Sequence, residues 1–211
     1  VNILEDGQSW IQSKLHNRLG LRHNALVEVT AISGIDQAMW DLRAQYGNLP
    51  LYSLFGGALR KPIPLYANIN RGIKERSPAN FALKAVEAVK EGYRAIKCAP
   101  FDGLRPFMPF NAWRKGIDEG LARIAAIRDN IGFDIALMVD CHGWLSPNEA
   151  IRLSKLLEPY NIFWLEDAIW PEGNIEPFRM IRQKIDLPLA FGEKSTSSIQ
   201  MWDLMTNNLV D

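Results

Sequence analysis

Three apolar runs in this 211-residue sequence finish in a carboxylate: "IALMVD" at Asp140, "IFWLE" at Glu166 and "LPLAFGE" at Glu193. The separations are 26 and 27 residues, close to one strand-helix unit of a barrel that spends roughly 250 residues on eight units. Equal phase puts the three acids at one level, at the carboxyl ends of adjacent parallel strands. Three carboxylates brought together repel unless a cation joins them. Hard oxygen ligands in an incomplete shell, with room for water or substrate oxygens, suit Mg²⁺. A single acid after a strand reads more simply as a helix N-cap or a solvated loop residue. Three acids at the same step favour the metal, because a cap has no reason to recur in phase.

Two further residues are placed to work on such a centre. Asp140 and His142 lie two apart in "VDCHGW", so on an extended strand they share a face while Cys141 faces the other way. His142 is then an acid or base that titrates near neutral pH beside a metal ligand; the plainer reading is a hydrogen-bonded packing histidine. Lys97 sits in the short apolar strand "AIKCA", where a buried ammonium is expensive unless paired. Pointing inward it meets the carboxylates, stays charged and can touch an anionic substrate. Pointing outward it snorkels between helices. The next inward position, Ala99, has no chemistry to offer. Asp167 faces away from Glu166 and is a structural candidate. Cys98 and Cys141 are expected to be inert packing residues.

The elements that would hold these residues alternate strictly. Apolar spacing predicts a helix over "ALVEVTAISGIDQAMWDLRAQYG", stopped by Gly47 and Pro50, then a short one in "LYSLFGG". From Lys61 onward strands and helices take turns five times: "PIPLYANI", "RAIKCA", "IALMVDCH", "IFWLED" and "LPLAFGE" are the strands. Ser77-Pro78 and Ser146-Pro147 read as N-cap and first helical residue. The final "LVD" reads as the start of a sixth strand. Such alternation predicts an α/β fold with a parallel sheet, either an open doubly wound sheet or an eight-stranded barrel. "ANINRGIKER" lacks the G-x-G-x-x-G pattern, which argues against the dinucleotide-binding version.

The totals narrow the function. With 24 basic and 24 acidic side chains the net charge is zero, so neither nucleic acid nor an acidic membrane is an expected partner. No apolar stretch is long enough to span a bilayer, and no signal peptide opens the chain. Two cysteines are too few for a disulfide framework, and a reducing cytoplasm is the default.

The pieces "AISGIDQAMWDL", "LYSLFGG", "GYRAIKCAP", "VDCHGW", "FWLED" and "LAFGE", in this order and across most of residues 25–195, resemble the enolase superfamily in its mandelate racemase and acid-sugar dehydratase branch. The resemblance implies a (β/α)7β barrel, of the TIM type, behind an α+β capping domain. It implies Mg²⁺ on Asp140, Glu166 and Glu193, and removal of the proton next to a substrate carboxylate. The metal stabilises the enediolate so formed. The Asp-x-His arrangement looks like the galactonate and mannonate dehydratases, which makes His142 the acid that protonates the departing hydroxyl. Lys97 matches the first lysine of a Lys-x-Lys motif whose second member here is Ala99, against a two-base racemase. In the relatives a base comes from a His-Asp dyad on later strands. Ala168 stands where relatives often carry proline, a local loop change.

On this resemblance residues 1–60 are the helical remainder of the capping domain, with Asp36, Trp40 and Asp41 structural. Residues 61–211 are the first five βα units and the start of the sixth strand. The sequence is thus expected to be a fragment, inactive by itself, of an enzyme that dehydrates a small sugar acid and forms a homo-oligomer. Rival readings are a racemase, epimerase or cycloisomerase of the same superfamily, and a barrel without catalysis kept for a structural role. Asn68, Asn70 and Arg71 are substrate-contact candidates, with exposed polar loop residues as the simpler explanation.

Overall fold

A computed structural model describes residues 26–59, 62–170 and 174–211. These residues fall into two compact units, one running to Ile63 and including Lys194–Ser198, the other holding Pro64–Glu193 and Ile199–Asp211. In the first unit, helix α1 (Leu26–Tyr46) is followed by the short α2 (Leu51–Leu54). Gly47 and Pro50 separate them as their chemistry requires. Trp40 packs on Phe55 with ring centroids 4.6 Å apart, and Asp41 accepts a hydrogen bond from Gln45, both structural uses. Residues 1–25 of the expected capping remainder lie outside the described residues.

The second unit repeats strand and helix: β1 (Ala67–Asn68), α3 (Pro78–Lys90), β2 (Ala95–Cys98), α4 (Phe110–Ile131), β3 (Ala136–Asp140), α5 (Pro147–Leu157), β4 (Trp164–Glu166), α6 (Glu176–Arg182), β5 (Leu189–Ala190) and α7 (Ser198–Thr206). Its helix starts are written locally. Ser77 accepts from the Asn80 amide ahead of Pro78. Ser146 and Glu149 form a reciprocal capping box around Pro147.

All strand pairs are parallel and the order is β1-β2-β3-β4-β5. A doubly wound sheet reverses its winding at a switch point; here each strand is added beside the last, which is barrel winding. Register then fixes the two faces. Ile96, Cys98, Leu137, Val139, Leu165 and Leu189 enter one apolar core with helix residues such as Phe81, Ile124 and Leu153. On the opposite face Asn68, Lys97, Met138 and Trp164 form one row. Asp140, Glu166 and Ala190 form the next row towards the strand ends.

The expected sixth strand is not paired as one. Leu209–Asp211 carries no ladder, although the Asp211 amide donates to Leu189 O at 3.0 Å and the Asp211 carboxylate accepts from Leu189 N at 2.9 Å. No helix among the described residues is long and apolar enough to cross a membrane.

One packing detail places the loop after β2. Phe101 and Leu104 are buried against α4, where the facing positions are Gly120 and Gly116. A methyl group at 116 would stand 2.6 Å from Leu104 Cδ2, and one at 120 would run into the Phe101 ring. Alanine favours a helix over glycine by about 1 kcal/mol, yet overpacking a core typically costs about 1–3 kcal/mol. Gly120→Ala is therefore expected to lower the melting temperature by a few degrees, read by thermal unfolding. A rise would show that the notch is not needed.

Candidate active site

Lys97 points into the barrel-side face and the residue is 7% exposed. Its Nζ lies 3.3 Å from Asp140 Oδ2 and donates to Glu166 Oε1. Lys97 belongs to the row below the acids, so only its long stem lets the charge climb between them. The Tyr66 ring lies 5.5 Å from the ammonium. Trp164, two residues before Glu166 and therefore on the same face, donates from Nε1 to Glu166 Oε2 at 3.0 Å. Burial, the largest single influence on Lys97, lowers its pKa. The Glu166 hydrogen bond and the charges of Asp140 and Glu166 outweigh it, so the pKa is raised and the group stays a cation.

Asp140 ends β3 and is 2% exposed. Burial pushes its pKa up, against the charges of His142 and Lys97 and the hydrogen bond from the His142 amide, while Glu166 adds to the rise. That amide bond measures 3.0 Å to Asp140 Oδ1. His142 is beside Asp140 for a different reason than strand alternation. The strand has stopped, and His142 takes the left-handed conformation at φ 51°. The turn still brings its Nε2 to 3.4 Å from Asp140 Oδ2. Its Nδ1 lies 2.7 Å from Asp102 Oδ1. The Asp102 hydrogen bond raises the His142 pKa, burial opposes it, and the charges of Asp140, Asp102 and Glu193 add to the rise.

Asp140 and Glu166 are direct register partners, as their spacing predicts. Glu193 is not the third member of that row. Ala190 holds the place beside Glu166, and Glu193 follows three residues later, after Gly192 at φ 137°. It nevertheless joins Asp140 and His142 in a group whose possible ligand atoms all lie within 4.8 Å of one another. Asp140 is thus common to two cation-compatible arrangements. In one, Glu166 shares the Lys97 ammonium with it; in the other, His142 and Glu193 stand around it.

The remaining candidates have other employment. Asp167 is buried at φ 41°, with its carbonyl accepting from Gly143 N at 2.6 Å and its amide donating to Ala190 O at 2.8 Å. Asn70 Oδ1 accepts from Ala99 N at 2.6 Å, tying the end of β1 to the end of β2. Asn68 Oδ1 accepts from Asn70 N, and Arg71 is exposed. Cys98 and Cys141 are buried free thiols; burial pushes Cys98 up to about 12 and Cys141 well above its ordinary value, so both stay protonated.

Two participants were not read from the sequence, Asp102 and Trp164. For Trp164 the signal was available: it shares the face of Glu166 two residues on. For Asp102 the only local signal is an Asp-Gly turn between two apolar residues, Phe101 and Leu104.

Residues 80–211 match the family described as Enolase C-terminal domain-like, and residues 12–56 match the Mandelate racemase / muconate lactonizing enzyme, N-terminal domain. The chain belongs to the enolase superfamily, in its mandelate racemase/muconate lactonizing enzyme branch. Its five βα units are part of the (β/α)7β barrel of that superfamily.

This enolase-superfamily chain is 35% identical over 206 residues to a D-mannonate dehydratase of Rhizorhabdus wittichii, covering 88% of this chain and 50% of the relative. It is also 35% identical over 182 residues to a D-gluconate dehydratase of Thermoproteus tenax, covering 86% of this chain and 35% of that protein. The chain spans about half the length, or less, of these relatives. Among solved structures, a member of the enolase superfamily from Salmonella Typhimurium superposes with a TM-score of 0.80 at 25% identity, covering 100% of this chain and 57% of the other. An enolase from Pantoea ananatis with bound D-gluconate and Mg superposes at 0.75 with 28% identity, covering 100% and 56%.

Proposed function

We propose that the whole protein is a Mg²⁺-dependent dehydratase of a sugar acid, acting in the cytoplasm. The observation that carries the reading is the inner rim itself: an acid pair in register, a buried lysine held cationic, and a histidine turned back against the first acid. The names of the relatives support the substrate class, and the D-gluconate and Mg in the Pantoea structure support the ligand pair.

The donor chemistry fits a hard divalent ion. The Lys97 ammonium between Asp140 and Glu166 marks a place where these oxygens accept positive charge. Asp140, Glu166 and Glu193 would hold Mg²⁺, carboxylates being its ordinary ligands, and His142 would be left for proton transfer. The ion, when bound, supplies Lewis-acid stabilisation of the charge that develops on the substrate carboxylate.

The chain's own residues do the rest. Lys97, its ammonium held between Asp140 and Glu166, serves as an electrostatic group for the anionic substrate. Ala99 puts no second lysine on that face, which weighs against a racemase that uses this motif for both proton transfers. His142, whose pKa the Asp102 hydrogen bond raises, is the proton donor of the site. After a base takes the α-proton, the electron pair left on the α-carbon forms the double bond to the β-carbon. The β C–O bond breaks as His142 gives its proton to the oxygen, and water departs. The enol that remains becomes a 2-keto-3-deoxy acid.

The direct test incubates the full-length protein and Mg²⁺ with a panel of aldonates. A 2-keto-3-deoxy product that disappears on chelation and returns with Mg²⁺ is the expected result. Solvent deuterium at the α-carbon with no net loss of substrate would point to racemisation or epimerisation instead. No reaction with any aldonate would sink the assignment.

A further inference from the structure

His142 has a partner that lies 40 residues upstream, in a loop that is unusually well fastened. The loop after β2 runs from Ala99 to Leu104. Its first carbonyl, Ala99 O, accepts from Arg76 Nη2 at 2.6 Å, and its second, Pro100 O, accepts from Arg123 Nη1 at 2.6 Å. Arg123 Nε also donates to Arg76 O at 2.7 Å, so the two arginines are tied together. Asn70 holds the Ala99 amide. Phe101 and Leu104 are sunk against the glycines of α4, and Leu104 N closes the turn on Phe101 O at 2.9 Å. The side chain that this framework presents between the two anchors is Asp102.

Asp102 uses both oxygens. Oδ1 meets His142 Nδ1 at 2.7 Å, and Oδ2 meets Arg76 Nη2 at 3.2 Å. The side chains are about one-third exposed, 31% for Asp102, 32% for His142 and 29% for Arg76. Ion pairs this exposed add little to stability. The fastening therefore makes sense as a means of fixing the imidazole.

We infer that Asp102, braced by Arg76, is a positioning residue that keeps a proton on His142 Nδ1 and leaves Nε2 as the nitrogen that delivers a proton towards the Asp140 side of the site. The inference rests on the acid-sugar dehydratase reading for its chemical consequence. An ionised carboxylate only accepts hydrogen bonds, so the nitrogen facing it must carry hydrogen. When Nε2 gives its proton to the departing hydroxyl, the ring is left neutral with Nδ1–H still bound to Asp102. The backbone amide of His142, held by Asp140 Oδ1, fixes the other end of the residue.

Asp102→Asn inverts this arrangement. Arg76 can only donate, so it claims the new amide oxygen and turns the NH₂ group towards Nδ1. Nδ1 then accepts instead of donating, so the ring's hydrogen sits on Nε2 and the pairing that held Nδ1–H is lost. The dehydration kcat of the Mg²⁺-loaded full-length protein is expected to fall about 10²- to 10⁴-fold, the usual share of a general acid, with KM little changed. Exchange of the α-proton with solvent deuterium should persist, because that step precedes the acid's work. A β-fluoro analogue should keep its elimination rate in the variant, since fluoride leaves without needing the proton. The melting temperature should stay within about 4 °C of the parent.

Nitrogen-15 spectra of the ring read the link without any turnover. Nδ1 is expected to be protonated in the parent and unprotonated in D102N. An unchanged ring spectrum, an unchanged kcat, or exchange and elimination falling together would overturn the inference. If the parent dehydrates no aldonate, the acid-sugar reading fails, and the ring spectra still decide whether Asp102 controls His142.

Discussion

Asp140→Asn is expected to abolish turnover by the full-length protein while leaving the fold standing. Asp140 is the one side chain shared by both cation-compatible arrangements, with Lys97 and Glu166 on one side and His142 and Glu193 on the other. Replacing its carboxylate by an amide removes the charge that these two arrangements share. The loss of the electrostatic stabilisation that a metal centre supplies, several kcal/mol, lowers kcat/KM by about 10³-fold or more. Stability responds differently. Asp140 is nearly inaccessible, and burial disfavours its charge, as the raised pKa records. The amide is close in shape, and Lys97 keeps Glu166 as its partner. The melting temperature without added metal should therefore stay near that of the parent or rise. Isothermal titration with Mg²⁺ should show the affinity lost. Retained activity in D140N would remove this residue from the centre of the mechanism; a large drop in melting temperature would show that the acid is needed for packing.

Arg128→Met is expected to give the opposite pattern, a severe loss of stability at a residue that touches no site group. Arg128 is 4% exposed, and the hydrogen bonds of its guanidinium go to four backbone carbonyls. Tyr160 O and Asn161 O each lie at 2.7 Å, Ile135 O at 2.8 Å and Gly132 O at 3.0 Å. Burial lowers its pKa, yet a guanidinium keeps its charge in a protein. One side chain thus gathers the end of α4, the entry to β3 and the turn before β4. Methionine fills part of the space and leaves these acceptors without their donor. Leaving a buried acceptor unsatisfied costs about 1–3 kcal/mol, and a loss of about 3–5 kcal/mol over the four is about 6–20 °C in a domain of this size. Arg128→Lys should recover only part of this, because an ammonium cannot fork across four acceptors. Thermal and urea unfolding measure it, and a shift of a degree or two would show that water replaces the guanidinium at no loss.

Much of this arrangement is legible in the residues. Ser77-Pro78 and Ser146-Pro147 place two helix starts because serine caps and proline needs no amide partner there. The 26-residue step from Asp140 to Glu166 gives their register directly, one βα unit returning the chain to the same row. Lys97 among apolar neighbours points inward because only the acids can compensate its charge. The same spacing argument fails to place Glu193 in that row. Between Glu166 and Glu193 the chain leaves β5 at Ala190 and passes through a glycine turn, so an almost equal count ends three residues beyond the row. Parity likewise reaches the right neighbour for His142 by the wrong route, since a left-handed residue and not a continued strand turns the ring. Asp102 was hidden because its importance depends on contacts far apart in sequence: Arg76 and Arg123 on the loop carbonyls of Ala99 and Pro100, and two glycines on a helix that has not yet begun.

The turn from Asp140 to Ser146 is stitched at nearly every residue. Cys141 N donates to Glu166 O, Gly143 N to Asp167 O and Trp144 N to Cys141 O. Trp144 and Leu145 bridge to Ile169, the Trp170 ring and backbone crowd Gly143 at φ 73°, and the capping box fixes the next helix start. Such a segment has no slack in its length. Even one extra residue would rotate the imidazole out of line and break the seam with the following strand, whereas the fully exposed Phe107 marks a place with room for added length.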